Sequence, residues 1–146
     1  MNDLFRSMVS RLSEAARSMA QEFGPFHFFG LLHRDNALYD QWDLIAAAPW
    51  LHDSDTDEGH DSLKLIIDRL RPFLAPEDWI LILPIVTFAV GSEELDQLIR
   101  AVDGRTGFVE GPFRVGLQRI EQAYVIVPGP PKPAGRGKRA RGTRAK

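Results

Sequence analysis

No cysteine occurs among the 146 residues, which excludes disulfides, thiolate zinc sites, iron–sulfur clusters and cysteine nucleophiles. The same absence fits a reducing compartment, so a cytoplasmic location is expected. Long apolar runs are also missing. The longest, residues 79–90, is interrupted by Pro84 and falls short of the ~20 residues a membrane helix needs, so no membrane association is expected. The first 20 residues place Asp3 and Glu14 among their arginines and do not read as a secretory signal. No serine stands in a Gly-x-Ser-x-Gly elbow. Gly104, Gly107 and Gly111 do not form a dinucleotide fingerprint, and Gly135, Gly137 and Lys138 lack the Ser or Thr of a phosphate-binding loop. No cofactor is expected.

What is present is an ordinary globular composition, 44% hydrophobic and 26% charged, in a chain long enough to bury a core of its own. The charge is unevenly divided. Seven of the 18 basic residues (Lys132, Arg136, Lys138, Arg139, Arg141, Arg144, Lys146) follow Pro131, and none of the 20 acids does. Residues 1–131 therefore carry 11 basic residues against 20 acids, a net of minus 9. The expectation is a globular α/β domain over 1–131 and a basic, disordered segment over 132–146.

Within the body, apolar residues at Leu4, Phe5, Met8, Val9, Leu12, Ala15, Ala16, Met19 and Phe23 repeat on one face of a helix. Gly24-Pro25 ends it. Residues 26–33 read as a strand, and Asp35-Asn36 as the turn of a hairpin into a second strand in the stretch 41–51, which Pro49 ends so that Trp50-Leu51 folds back over the sheet edge. The Leu-Ile-Ala-Ala-Ala run there has no polar alternation, so an inner strand covered on both faces is expected. Residues 52–61 read as an exposed loop, followed by a helix capped by Asp61 or Ser62 and ending near Arg71. Residues 75–78 read as a turn and 79–89 as a buried strand, with Pro84 marking a bulge or the strand's end near Leu83. Ser92 caps a third helix stopped by Gly104. Residues 108–114 and 121–127 are two more strands, with Gly111-Pro112 inside the first pointing to an edge position or a turn. The expected order is α-β-β-α-β-α-β-β around a mixed sheet of about five strands.

Asp43 is the polar exception in the second strand. An acid there, in an α-β-β-α-β order, resembles the restriction-endonuclease-like fold, whose metal site uses an Asp on one strand and Glu-x-Lys on the next. The resemblance implies a metal-dependent nuclease or phosphodiesterase in which Asp43 works with acids such as Glu110 or Glu121. The second half of that motif is absent: the only lysine of the body, Lys64, lies on a helix without a Glu two residues before it. The competing reading is a structural Asp43 paired to His27, His33, Arg34 or a backbone amide. Tyr39, Asp40, Trp42 and Asp43 could also line a small pocket with Trp50.

His52, Asp53, Asp55, Asp57 and His60 concentrate metal-ligating groups in one loop. The spacing starts like a calcium loop but has Glu58 where the sharp turn needs Gly and Lys64 where a bidentate Glu belongs, so an exposed acidic loop is expected. The basic residues from Lys132 to Lys146 can contact phosphates without sequence specificity, giving weak, salt-sensitive nucleic-acid binding. They can equally solubilise the chain or fold onto its acidic body or another copy. With a well-specified core and no assembled catalytic set, the leading expectation is a non-catalytic accessory or interaction protein with a protein partner or homo-oligomer. The nuclease-like enzyme and the nucleic-acid-binding protein are the alternatives.

Overall fold

The computed structural model describes residues 3–35, 41–82 and 84–129. The elements are α1 (Asp3–Phe23), β1 (Phe28–Arg34), β2 (Asp43–Ala47), α2 (Asp57–Leu70), α3 (Pro76–Leu81), β3 (Ile85–Phe88), α4 (Glu93–Val102), β4 (Gly107–Val115) and β5 (Gln118–Val127). The five strands form one mixed sheet in the order β3-β2-β1-β5-β4, in which only β2 and β3 run parallel. The parallel pair follows from the connection: α2 and α3 carry the chain between the two strands, whereas β1–β2 and β4–β5 join as antiparallel neighbours.

The sheet is covered on both faces, which accounts for the unbroken apolar run of β2. Leu44, Ala46 and Ala48 join Phe29 and Leu31 of β1 against α1 and α2, and Ile45 and Ala47 join Phe28 and Leu32 against α4. A strand buried on both sides has no solvent face to mark with polar residues. β2 is an inner strand, as expected. The helix over 3–23, the hairpin into β2, the Ser92 cap of α4 and the edge position of β4 also agree with the sequence reading.

Residues 79–89 depart from it. They begin inside α3, and only four of the eleven belong to β3. Pro76 opens α3 and Glu77 and Asp78 fill its first turn, which are helix-start features. The Asp78 carboxylate accepts from the Ala75 amide at 2.8 Å and from Arg11 of α1 at 2.7 and 2.8 Å. Trp42 N then donates to Leu81 O, joining the end of α3 to the start of β2. Pro84 precedes β3, and its carbonyl accepts from Leu44 N, so its missing N–H breaks no ladder.

The loop expected over 52–61 is shorter too. Thr56 caps α2, its hydroxyl accepting from Gly59 N at 3.0 Å, so the helix starts four residues before Asp61. Ser62 lies inside the helix, buried, and accepts from His52 N. Leu51 folds back into the core on the α1 and α2 face, and Trp50 Nε1 donates to Gly24 O. The basic residues Lys132, Arg136, Lys138, Arg139, Arg141, Arg144 and Lys146 lie outside the described residues. Among those described, no helix is long and apolar enough to cross a membrane.

Candidate functional site

The two faces of the sheet are covered unequally. Among the described residues three helices lie on one, and the ten-residue α4 alone lies on the other, where Leu95, Leu98 and Val102 pack with residues of β1, β2, β4 and β5. Among those residues, α4 covers β2 on that face but leaves Val86 and Phe88 of β3 half-buried. There Ile45, Val86 and Phe88 meet Leu32 in a trough of about 320 Å³, lined also by Glu94 and by the tip of the β4–β5 hairpin. That volume is at the small end of ligand sites. The two-residue tip of that hairpin is fastened to α4. Gly116 takes a positive φ of 61°, and its N–H donates to Gln97 Oε1 at 2.7 Å. The other tip residue, Leu117, is 93% exposed at the lip.

Asp43 lies in the trough wall with its countercharge beside it. Leu32 of β1 pairs with Asp43 in register, so Arg34, two residues on, projects on the same side of the sheet. Arg34 Nε and Asp43 Oδ2 are 2.8 Å apart, with both side chains largely buried. Burial pushes the Asp43 carboxyl above its usual range. The Arg34 charge and hydrogen bond and the His33 charge pull it down without cancelling the shift. Of the partners expected for Asp43, the ion pair is with Arg34. Asp43→Ala should cost about 1 to 2 kcal/mol by removing the carboxylate that Arg34 is paired with, and Asp43→Asn less, since its amide oxygen still accepts. Denaturant unfolding of the two variants checks this; equal stability of Asp43→Ala and the parent chain would mean that the pair is not structural.

The sheet does not bring the other candidate acids to Asp43. Glu110 on β4 belongs to the same face as Phe108, whose ring stacks on Phe5 of α1, so it lies on the face opposite the trough. It is exposed and accepts from Gln122 at 2.6 Å. Glu121 is exposed and sits 3.8 Å from Arg119. Nor do the two tryptophans share a pocket. Trp42 packs with His33 and Phe5, while Trp50 packs with Phe23 and Phe26. Tyr39 and Asp40 lie outside the described residues.

The acidic loop has a structural task. Asp53 Oδ1 accepts from Ala89 N at 2.7 Å, Ser54 N donates to Thr87 O at 3.0 Å, and Thr87 Oγ1 donates to His52 O. These bonds cover the outer edge of β3, an exposed strand edge being a template for unwanted pairing. Asp55, Asp57, His52 and His60 are exposed, and Asp57 stands in the first turn of α2 where a negative charge suits the helix dipole. No group of three or more His, Asp or Glu that could hold a metal ion occurs among the described residues. Beside the trough, Asp53, Asp55 and Glu94 edge a second hollow of about 190 Å³ that shares Val86 and Phe88 with it.

Sequence reading singled out Asp43 but not the trough. The sequence pattern gives residues 115–120 no element and puts Val86 and Phe88 in a strand buried on both faces. The available signal was Gly116-Leu117, a glycine beside a large apolar residue between two alternating stretches, which marks a tight hairpin with an exposed tip. Compared with known protein families, curated proteins and solved structures, the chain matches none.

Proposed function

We propose that this chain is a non-catalytic interaction protein of the cytosol. On this reading it holds a partner segment in the trough between β3, α4 and the β4–β5 hairpin. The observation that carries the reading is an apolar floor that α4 does not fully cover, with the Glu94 carboxylate in its lining and Asp53 and Asp55 adjoining. An occupant of complementary chemistry has an apolar side chain next to a positive charge. The apolar part removes Val86, Phe88 and Leu117 from water, and the charge settles on Glu94. Specificity follows from the same carboxylates, because an acidic segment would meet like charge.

Two features weigh against the other readings. Arg34 already supplies the countercharge of Asp43, and Glu110 and Glu121 lie elsewhere, which disfavours a phosphodiesterase built on these acids. The net of minus 9 on residues 1–131 repels phosphate, which disfavours nucleic acid as the main ligand.

Isotope-labelled protein titrated with short peptides tests the proposal. A Leu-Arg-containing peptide should shift amide resonances of Val86, Phe88, Glu94 and Leu117, and its Leu-Glu counterpart should not. Glu94→Lys should weaken the binding about tenfold, the equivalent of 1.4 kcal/mol. Shifts confined to α1 and α2, or equal response to both peptides, would reject the trough as the interaction surface.

A further inference from the structure

We infer that the trough has a resident occupant, the segment 130–146 of the same chain, so that a partner must displace it. The inference rests on the trough being the interaction surface, and three observations support this choice of occupant.

The first is where the sheet releases the chain. β5 ends at Val127, and Gly129 sits between the His27 carbonyl and α4: a Cβ on this glycine would run into His27 O and come within 3.2 Å of the Ile99 side chain. The last described residue thus lies beside α4, the helix on the face where the trough opens. The second is chemistry. Pro130-Pro131-Lys132-Pro133 comes first, a sequence suited to polyproline II, which has no internal hydrogen bonds and presents proline rings to apolar, aromatic-bearing grooves. Val86 and Phe88 offer such a surface. Arg136, Lys138, Arg139, Arg141, Arg144 and Lys146 follow. They complement Glu94 in the trough's lining and the Asp53 and Asp55 carboxylates of the adjoining hollow. The third is reach. At about 3.1 Å per residue the 17 residues span about 50 Å, against a radius of gyration of about 14 Å for a domain of this size.

Attachment to the same chain raises the effective concentration of the segment to the millimolar range, so weak contacts suffice to occupy the trough. Its affinity is largely ionic and falls with salt. A partner with a larger apolar side chain gains from burying it where the segment offers only proline and alanine, which is how displacement is driven.

The absence of cysteine makes the test direct, since Ala140→Cys in the full chain provides a single attachment point for a nitroxide. The expected result is selective broadening of Val86, Phe88, Glu94 and Leu117 amide signals at about 0.01 M salt. The broadening should disappear near 1 M, as the screening length falls from about 30 to 3 Å. Broadening spread evenly, or centred on α1 and α2, would overturn the inference. So would broadening in a mixture of nitroxide-bearing protein with label-free isotope-enriched protein, because the occupant would then be a second copy. A further variant, with all seven basic residues after Pro131 changed to Ser, separates this inference from the one it rests on. If the Leu-Arg peptide binds that variant at the trough while the nitroxide on the unaltered, basic segment shows no selective broadening at low salt, only the resident segment is rejected. If the peptide does not bind it, the trough is rejected too.

Discussion

Asp78→Ala is expected to lower stability by about 3 kcal/mol, a fall of roughly 10 °C in melting temperature for a chain of this size. The Asp78 side chain is fully buried and accepts three hydrogen bonds, two from Arg11 and one from the Ala75 amide. Removing it strips the first turn of α3 of its side-chain acceptor and leaves the Arg11 guanidinium without its partner at the interface of α1 and α3. Hydrogen bonds to a charged group are worth more than neutral ones, and breaking a buried pair costs more than the pair contributes net. Arg11→Ala should be destabilising for the converse reason, an uncompensated carboxylate in the core. Calorimetry of both single variants and the double variant measures the coupling, and additive losses would show that the two side chains do not act as a pair.

The same pair predicts a pH dependence with a definite sign. Burial alone would raise the Asp78 carboxyl, but the Arg11 hydrogen bonds, the Ala75 amide and the Arg11 charge outweigh it and hold the group below its usual range. A carboxyl with a depressed folded-state pKa contributes stability that is present above the unfolded value of about 3.9 and lost as pH falls through the folded one. Asp43 runs the other way. Its raised pKa makes the folded state the better proton binder, so its contribution is present at low pH and lost as pH rises past the unfolded value. Asp78→Asn should therefore flatten the acid limb of the stability curve, and Asp43→Asn should steepen it.

These two acids also show what could be read in the sequence and what could not. Asp43 stood out because it opens an apolar strand. Its partner was within reach of inference, since the hairpin register places Arg34 beside it. Asp78 reads as part of a turn, because six helical residues are too few to display a period and its partner Arg11 lies 67 positions away. The long helix α1 and the capped α4 were legible for the opposite reason, being local patterns with local stop signals. The trough combines residues of β1, β2, β3, α4 and the β4–β5 hairpin, none adjacent to the next element's contribution in sequence. No motif spans them. Strand order and the placement of α4 on that face bring them together.

Gly59→Ala is expected to be comparably severe, at about 3 kcal/mol, although the substitution adds one methyl group to a helix and Ala is the better helix former. Gly59 is buried in the first turn of α2, and a Cβ there would run into the Asp53 carbonyl oxygen and the backbone of Ser54. Neither neighbour is a side chain that can rotate away. The Asp53 carbonyl is already held by Thr56, accepting from its N–H and its hydroxyl, while the Asp53 carboxylate holds Ala89 and Ser54 N holds Thr87. Making room therefore means lifting the loop from the edge of β3, and at least four hydrogen bonds depend on its position. The helix gain of up to about 1 kcal/mol from replacing Gly cannot offset that loss. Freed of its cover, β3 would present unpaired backbone groups next to Val86 and Phe88, the apolar residues of the trough. Gly59→Ala should accordingly melt at a lower temperature, aggregate on standing and exchange the Ala89 amide proton faster than the parent chain. A variant as stable as the parent with a protected Ala89 amide would mean that the loop can move aside without releasing the strand edge.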